Sequence, residues 1–249
     1  MGAVAEALLR LSGVGKRFGG VIALEGVDLE VNPGEIASVI GPNGAGKTTL
    51  FNVMTGAITA TAGAIEFAGR PIGGLRPYRI VRLGLARTFQ NIRLFHSLTV
   101  REHFRLAQHA AARRGESREA GATRMNELLD VLDLRAAADR PATDLSYGQQ
   151  RRVEIGRALA TAPKLLLLDE PVAGMSREET GAIAALLRRL RERGLTILLI
   201  EHDMSFVMDL CDSVTVLDFG NVIACGEPAQ IQREPHVLEA YLGREATSA

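Results

Sequence analysis

Tryptophan is absent and aromatic residues make up only 4% of the chain, so an aromatic placed outside the core stands out. Charge of one sign is also missing. With 29 Lys and Arg against 29 Asp and Glu, the formal net charge is zero. That excludes a dominant electrostatic attraction to nucleic acid. The two cysteines, Cys211 and Cys225, have no metal-binding spacing, and both read as buried, reduced thiols. No apolar run approaches the ~18 residues of a membrane span. The N-terminus lacks the basic region and apolar core of a signal peptide. Together these absences lead to an expectation of a soluble, cytoplasmic protein whose membrane role, if it has one, comes through a partner. The 249 residues and 47% apolar content suit one large domain, or one domain with a lobe, around a substantial core.

What is present is organised around Gly41-Pro42-Asn43-Gly44-Ala45-Gly46-Lys47-Thr48-Thr49. This is the phosphate-loop pattern G-x-x-x-x-G-K-[ST]. Before it, Glu35–Ile40 is a short apolar run that reads as a buried strand. After it, Leu50, Val53 and Met54 have helical spacing, closed by Gly56. A glycine-rich turn between strand and helix wraps closely on a phosphate, with N–H groups and the positive helix end facing the anion. Lys47 is then expected to reach the β and γ phosphates of a nucleotide, and the Thr48 hydroxyl to ligate Mg²⁺.

Flanking segments read as strands. Leu9, Leu11 and Val14 lead into the Gly19-Gly20 turn, Val27, Leu29 and Val31 alternate, and Ala64–Phe67 is a short strand. These predict an antiparallel patch beside the loop. Phe18 lies at the strand-turn junction; from position alone it reads as a core phenylalanine. From Thr99 to about Ala162 the spacing is helical, broken at Arg113–Ser117. This block interrupts the strand-helix alternation and reads as an inserted lobe. Ser146 is placed to cap the helix that follows it. Leu165–Leu168 is an apolar strand, buried on both faces, that ends in Asp169 and Glu170. Acids there suit a Mg²⁺ ligand and a base for attacking water. Ser176 and Glu179 have capping-box spacing. Leu195–Ile200 is a second buried strand, followed by His202. Gly220-Asn221 signals a hairpin. Val237–Leu242 forms a terminal helix, and residues 244–249 are expected to fray.

Taken in order, these segments resemble the ATP-binding cassette (ABC) ATPases over nearly the whole chain. The resemblance rests on the phosphate loop, Gln90 as the glutamine loop, Leu145–Gln149 as the signature, Asp169 and Glu170 as the second nucleotide motif, and His202 as the switch. It implies an α/β fold: a P-loop NTPase core with an antiparallel β subdomain and an inserted helical subdomain. The expected division is 1–97 with 163–249 for the core and 98–162 for the helical subdomain. It also implies ATP and Mg²⁺ as cofactors. Phe18 becomes the adenine-stacking aromatic, with Gly41–Thr49 around the phosphates. Thr48, Gln90 and Asp169 serve the metal, and Glu170, His202 and Gln90 the catalysis. Ser146, Gly148 and Gln149 would hold the γ-phosphate of ATP bound on a second subunit.

Within that family the stretches Arg87–Phe95, Leu145–Arg152, Ile200–Met204 and Glu239–Gly243 resemble the LivG-type ATPases of branched-chain amino acid importers. That likeness implies a head-to-tail dimer with a second, related ATPase, two transmembrane permease subunits and, indirectly, a periplasmic binding protein, with no nucleic acid partner. It places the chain at the cytoplasmic face of the inner membrane as a peripheral subunit. Urea or amide uptake, lipopolysaccharide export and non-transport ABC ATPases are the competing readings. Two positions depart from the wider family pattern. Tyr147 stands where glycine is commoner, as is usual in this subgroup, and Ser176 stands where Asp or Asn is usual.

Overall fold

The computed structural model of the protein describes residues 6–245. In chain order its elements are β1 (Leu9–Phe18), β2 (Val21–Val31), β3 (Ile36–Ile40), α1 (Lys47–Met54), β4 (Ala62–Phe67), β5 (Arg70–Pro71), α2 (Pro77–Leu83) and β6 (Leu85–Arg87). They continue with α3 (Val100–Ala112), α4 (Arg118–Val131), α5 (Tyr147–Leu159), β7 (Leu165–Asp169), α6 (Arg177–Glu192) and β8 (Thr196–Ile200). The last are α7 (Met204–Leu210), β9 (Ser213–Asp218), β10 (Asn221–Gly226), α8 (Pro228–Ile231) and α9 (Pro235–Glu245). The chain divides into two compact units, Met1–Pro77 with Arg191–Ala249, and Tyr78–Leu190.

The first unit holds the expected antiparallel patch, in the strand order β2-β1-β4-β5. Leu9 stands opposite Val31 and Phe67, and Leu11 opposite Leu29 and Ile65. These six side chains are buried, so the alternating pattern sets which face turns inward. The same unit holds parallel strands. β3 lies between β8 and β9, and β10 turns back antiparallel on β9. Every residue of β3 and β8 is buried, as continuous apolar runs require of strands covered on both faces. The β9–β10 hairpin turns on Phe219 and Gly220, both at positive φ (43° and 81°). That is the backbone of a two-residue type I′ turn.

The second unit carries the helical block expected between 98 and 162, which lies wholly inside it. α3 and α5 pack together. Gly156 is required there, because a Cβ would lie 2.3 Å from the Phe104 ring and 2.5 Å from Leu132. β6 and β7 pair in parallel, and all five residues of β7 are buried. Helix α2 had no counterpart in the sequence reading; it opens on Pro77, whose fixed φ suits a first helical turn.

Two expectations need correction. Cys225 is exposed, because it lies on the last strand of its sheet, while Cys211 is buried as expected. Burial pushes the Cys211 thiol up to about 12, so it stays protonated. Helix α9 also extends through Glu245, past the start of the expected fraying; residues 246–249 lie outside the described part.

Candidate functional site

In the first unit, the phosphate loop leaves the buried end of β3 and enters α1. Gly41, Gly44 and Gly46 all take positive φ, at 150°, 83° and 106°. A Cβ on Gly41 would lie 2.0 Å from the Leu217 carbonyl oxygen, and one on Gly46 would lie 2.6 Å from that of Ala23. No other residue fits either place. The turn is closed by Ala45 N–H donating to the Pro42 carbonyl at 3.1 Å and braced by Gly220 N–H donating to Ala45 at 2.9 Å. Asn43, Gly44 and Thr48 are exposed at its outer edge, while Pro42 and Thr49 are half-buried.

Helix α1 begins without a side-chain cap: Gly46 is its N-cap residue and supplies none. No side chain of the cap residue therefore stands between the positive end of the helix and an anion. Lys47 is nearly buried, and its ammonium donates to the Gly41 carbonyl at 2.6 Å and the Pro42 carbonyl at 3.0 Å. The loop thus holds its own cation over the place where an anion belongs. Phe18 ends β1 with 49% of its surface exposed, and the Lys16 ammonium lies 4.8 Å above its ring. That exposure removes the core reading. His202 follows β8 with its ring 60% exposed, while the neighbouring Glu201 is fully buried 3.9 Å from Nδ1.

In the second unit, β7 delivers Asp169 and Glu170. Asp169 is buried, and Arg87 donates to it at 2.7 Å from within a nearly buried side chain. Glu170 adopts a left-handed φ of 47°, an uncommon and strained backbone for a residue with a side chain. Gln90 Nε2 donates to its carboxylate at 2.7 Å. The structure therefore brings Gln90 to Glu170, the residue that follows Asp169. It also gathers Ser146, Gly148 and Gln149 at the start of α5. Ser146 and Gln149 form a reciprocal capping box, with N–H to side-chain distances of 3.3 and 3.4 Å. Glu179 lies against Gly148, where a Cβ would approach its carboxylate to 2.9 Å.

Three residues of this second site were not picked out for it by the sequence reading. Arg87 is the cation paired with Asp169. Arg151 and Glu154 form an ion pair with both side chains fully buried at 2.8 Å. Desolvation pushes the Glu154 carboxyl up, and the Arg151 charge opposes that shift. The pair grips the glutamine loop: Arg151 donates to the Phe89 and Gln90 carbonyls at 3.0 Å each, and Phe89 N–H donates to Glu154 at 3.3 Å. The i,i+3 spacing of Arg and Glu was the available signal.

These residues fit a magnesium nucleotide. The uncapped helix and the glycine cradle suit an anion. The Thr48 hydroxyl in the first unit and the Asp169 carboxylate in the second are each a hard oxygen donor of the kind that Mg²⁺ takes. Among the described residues no cluster of three His, Cys, Asp or Glu forms a metal cage. Mg²⁺ does not need one, since it commonly binds through one or two carboxylates together with phosphate oxygens.

Residues 24–173 match the family described as ABC transporter, and residues 221–247 match the one described as branched-chain amino acid ATP-binding cassette transporter. The chain belongs to the ABC transporter family. It is 45% identical to the high-affinity branched-chain amino acid transport ATP-binding protein BraF of Pseudomonas aeruginosa, covering 95% of this chain and 98% of that one. It is 42% identical to LivG of Escherichia coli K12, covering 96% and 99%. A crystal structure of an ABC transporter's ATP-binding cassette in its ADP conformation superposes with a TM-score of 0.84 at 35% identity, over 95% of this cassette and 99% of that one. The cassette is thus an ATPase of the transport-coupled kind, and it has the α/β P-loop ABC fold. Among its described residues no helix is long and apolar enough to cross a membrane.

Proposed function

We propose that this cassette binds and hydrolyses Mg²⁺-ATP to drive import of branched-chain amino acids. It would act as a peripheral subunit on the cytoplasmic side of the inner membrane. The observation that carries the reading is the uncapped start of α1, with Lys47 held on the Gly41 and Pro42 carbonyls, in a chain 45% identical to BraF. Gly41–Thr49 hold the phosphates, Lys47 transferring its ammonium from the loop carbonyls to the anion. Phe18 stacks on the adenine. Thr48, Gln90 and Asp169 would hold Mg²⁺, which would supply charge neutralisation on the phosphate oxygens.

Arg87, paired with Asp169 at 2.7 Å, orients its carboxylate before the nucleotide arrives. Glu170 orients or deprotonates the attacking water, with Gln90 fixing its carboxylate, and His202 contacts the γ-phosphate. Ser146, Gly148 and Gln149 serve the nucleotide of a second ATPase subunit in a head-to-tail dimer. We assign 98–162 as the helical subdomain and 1–97 with 163–249 as the core. Phe95, 51% exposed, and Phe89, 36% exposed, give the glutamine loop an apolar surface for a permease helix.

The test is reconstitution with the two permeases, the second ATPase and the binding protein in liposomes. Leucine should raise phosphate release and enter the vesicles, and Lys47→Ala should abolish both. Stimulation by urea, an amide or an aromatic amino acid in place of leucine would overturn the cargo assignment. Retention of turnover in Lys47→Ala, with the partner site also disabled, would overturn the nucleotide assignment.

A further inference from the structure

Tyr147 is the third residue of the signature Leu145–Gln149, and its hydroxyl is committed in two directions. It accepts from Arg151 Nη2 at 3.3 Å and donates to the Ala173 carbonyl at 3.3 Å. Ala173 N–H in turn donates to the Glu170 carbonyl at 3.3 Å. Glu170 accepts from Gln90 at 2.7 Å, and the Gln90 carbonyl accepts from Arg151 at 3.0 Å. These bonds close a ring through the signature turn, the glutamine loop and the turn that follows β7. Its hub is an Arg151–Glu154 pair with no solvent exposure, so the ring has a rigid centre. Ser176, further along the same turn, makes no comparable tie. Its hydroxyl accepts from Glu179 N–H at 3.2 Å and its own N–H donates to Glu179 at 2.9 Å, which commits it to the start of α6. A glycine at 147 would leave the ring open between Arg151 and Ala173.

We propose that Tyr147 is a positioning residue for hydrolysis: its hydroxyl locks the signature turn to the turn carrying Glu170, so that the two move as one body. This rests on the roles given above to Glu170 and the signature. In a head-to-tail dimer a chain's Glu170 serves its own nucleotide while its signature serves the partner's. The ring therefore links the two ATP sites through the interior of each chain.

Tyr147→Phe tests this, since it removes the hydroxyl and both bonds while keeping the aromatic ring. Two hydrogen bonds at the weaker end of the ordinary range, as their 3.3 Å lengths imply, correspond to roughly five- to thirty-fold. In the assembled complex, with the partner ATPase's own catalytic glutamate disabled, kcat for ATP should fall by that factor, with KM unchanged within about twofold. In the purified full chain without nucleotide, amide exchange across 172–175 should accelerate. Arg151→Lys, which keeps the charge but lacks the fork that reaches four acceptors, should accelerate exchange at 89–91 as well. Wild-type kcat in Tyr147→Phe overturns the proposal, as does unchanged exchange at 172–175. A drop in kcat matched by an equal rise in KM and a lower unfolding temperature would show a merely structural tyrosine, and overturns it too. A wild-type complex without ATP turnover would instead refute the ATPase roles, while the exchange measurement would still decide whether the ring exists.

Discussion

Helices α1 and α5 both present their N-termini at sites read as phosphate-binding, yet they are built in opposite ways. At α1 the N-cap is a left-handed glycine with no side chain to offer, and no larger residue fits there. A helix start without a side-chain cap is therefore a permanent feature of the backbone. At α5 the N-cap is a serine in extended conformation, and Ser146 with Gln149 already satisfies the groups that a ligand would need. The contacts are long, 3.3 to 3.4 Å, so this satisfaction is weak. The first site is ready by itself; the second must exchange an internal cap for a ligand. Under the proposed function, in which the chain binds ATP on its own loop and lends its signature to another subunit, that asymmetry has a use. The α1 site would then take nucleotide without a partner, while the α5 site would stay capped until one arrives.

The largest test of the comparison is chemical. Glu170→Gln keeps an oxygen to accept from Gln90 but removes the base. Loss of a general base costs roughly 10²–10⁴-fold in rate. The variant should bind ATP normally and release phosphate at that reduced rate. ATP occupancy and phosphate release, measured together on a complex whose partner site is also disabled, check it. Lys47→Ala follows. It removes charge-assisted contacts worth about 1.5–3 kcal/mol each. ATP affinity should fall by more than roughly tenfold. Titration calorimetry on the isolated chain reads it. Unaltered affinity would mean that the backbone alone holds the phosphates.

The same contrast explains what the sequence made legible. The α1 site is made of backbone, and only glycine permits that backbone, so the residue letters announce it directly. Buried strands such as Leu165–Leu168 were legible for a similar reason: an unbroken apolar run has few other places to go. The Tyr78–Leu190 unit is different. Its motif residues Gln90, Ser146 and Glu170 were recognisable, but what holds them was not. Arg87 lies 82 positions from Asp169, and Arg151 lies 61 from the Gln90 carbonyl it grips. Those pairings depend on how β6, β7 and α5 pack, which no local pattern encodes. An Arg and a Glu on a helix read as solvated by default, and only burial reverses that reading. The left-handed φ of Glu170 was hidden for the same reason, since strain at a side-chain-bearing residue leaves no glycine to mark it.

A smaller effect sharpens the α1 side. Phe18 is exposed and outside the loop, so it adds affinity without shaping the phosphate cradle. Base stacking on an aromatic is worth roughly 1–3 kcal/mol by alanine substitution. Phe18→Ala should weaken ATP binding within that range, Phe18→Tyr should not, and neither should shift the unfolding temperature of the nucleotide-free chain. The adenine dependence isolates the contact: inorganic triphosphate should bind wild type and Phe18→Ala equally. Equal ATP affinity in the two would return Phe18 to an idle surface residue.

The smallest expected shift in stability lies at Ser146, and it bears most directly on the comparison. Replacing a serine N-cap with alanine costs about 0.5–2 kcal/mol. The 3.4 Å separation of the Gln149 N–H and the Ser146 hydroxyl puts this cap at the weak end. For a chain of this length, about 0.5 kcal/mol moves the unfolding temperature by roughly 1–2 °C. Ser146→Gly should cost even less, since glycine is itself an acceptable N-cap. Neither change touches the chain's own phosphate loop, so ATP binding to the isolated subunit should be unaffected. In the proposed dimer the same hydroxyl would serve the partner's nucleotide. There its loss removes a hydrogen bond to a charged group, and turnover at the partner's site should fall by more than roughly tenfold. The two variants separate the roles, because alanine and glycine differ as caps yet equally lack the hydroxyl. If α5 lends its end to a second subunit, Ser146→Ala and Ser146→Gly will lose partner-site turnover alike while differing in stability. If Ser146 is only a cap, turnover will follow the unfolding temperature, and Ser146→Gly will retain more of it than Ser146→Ala.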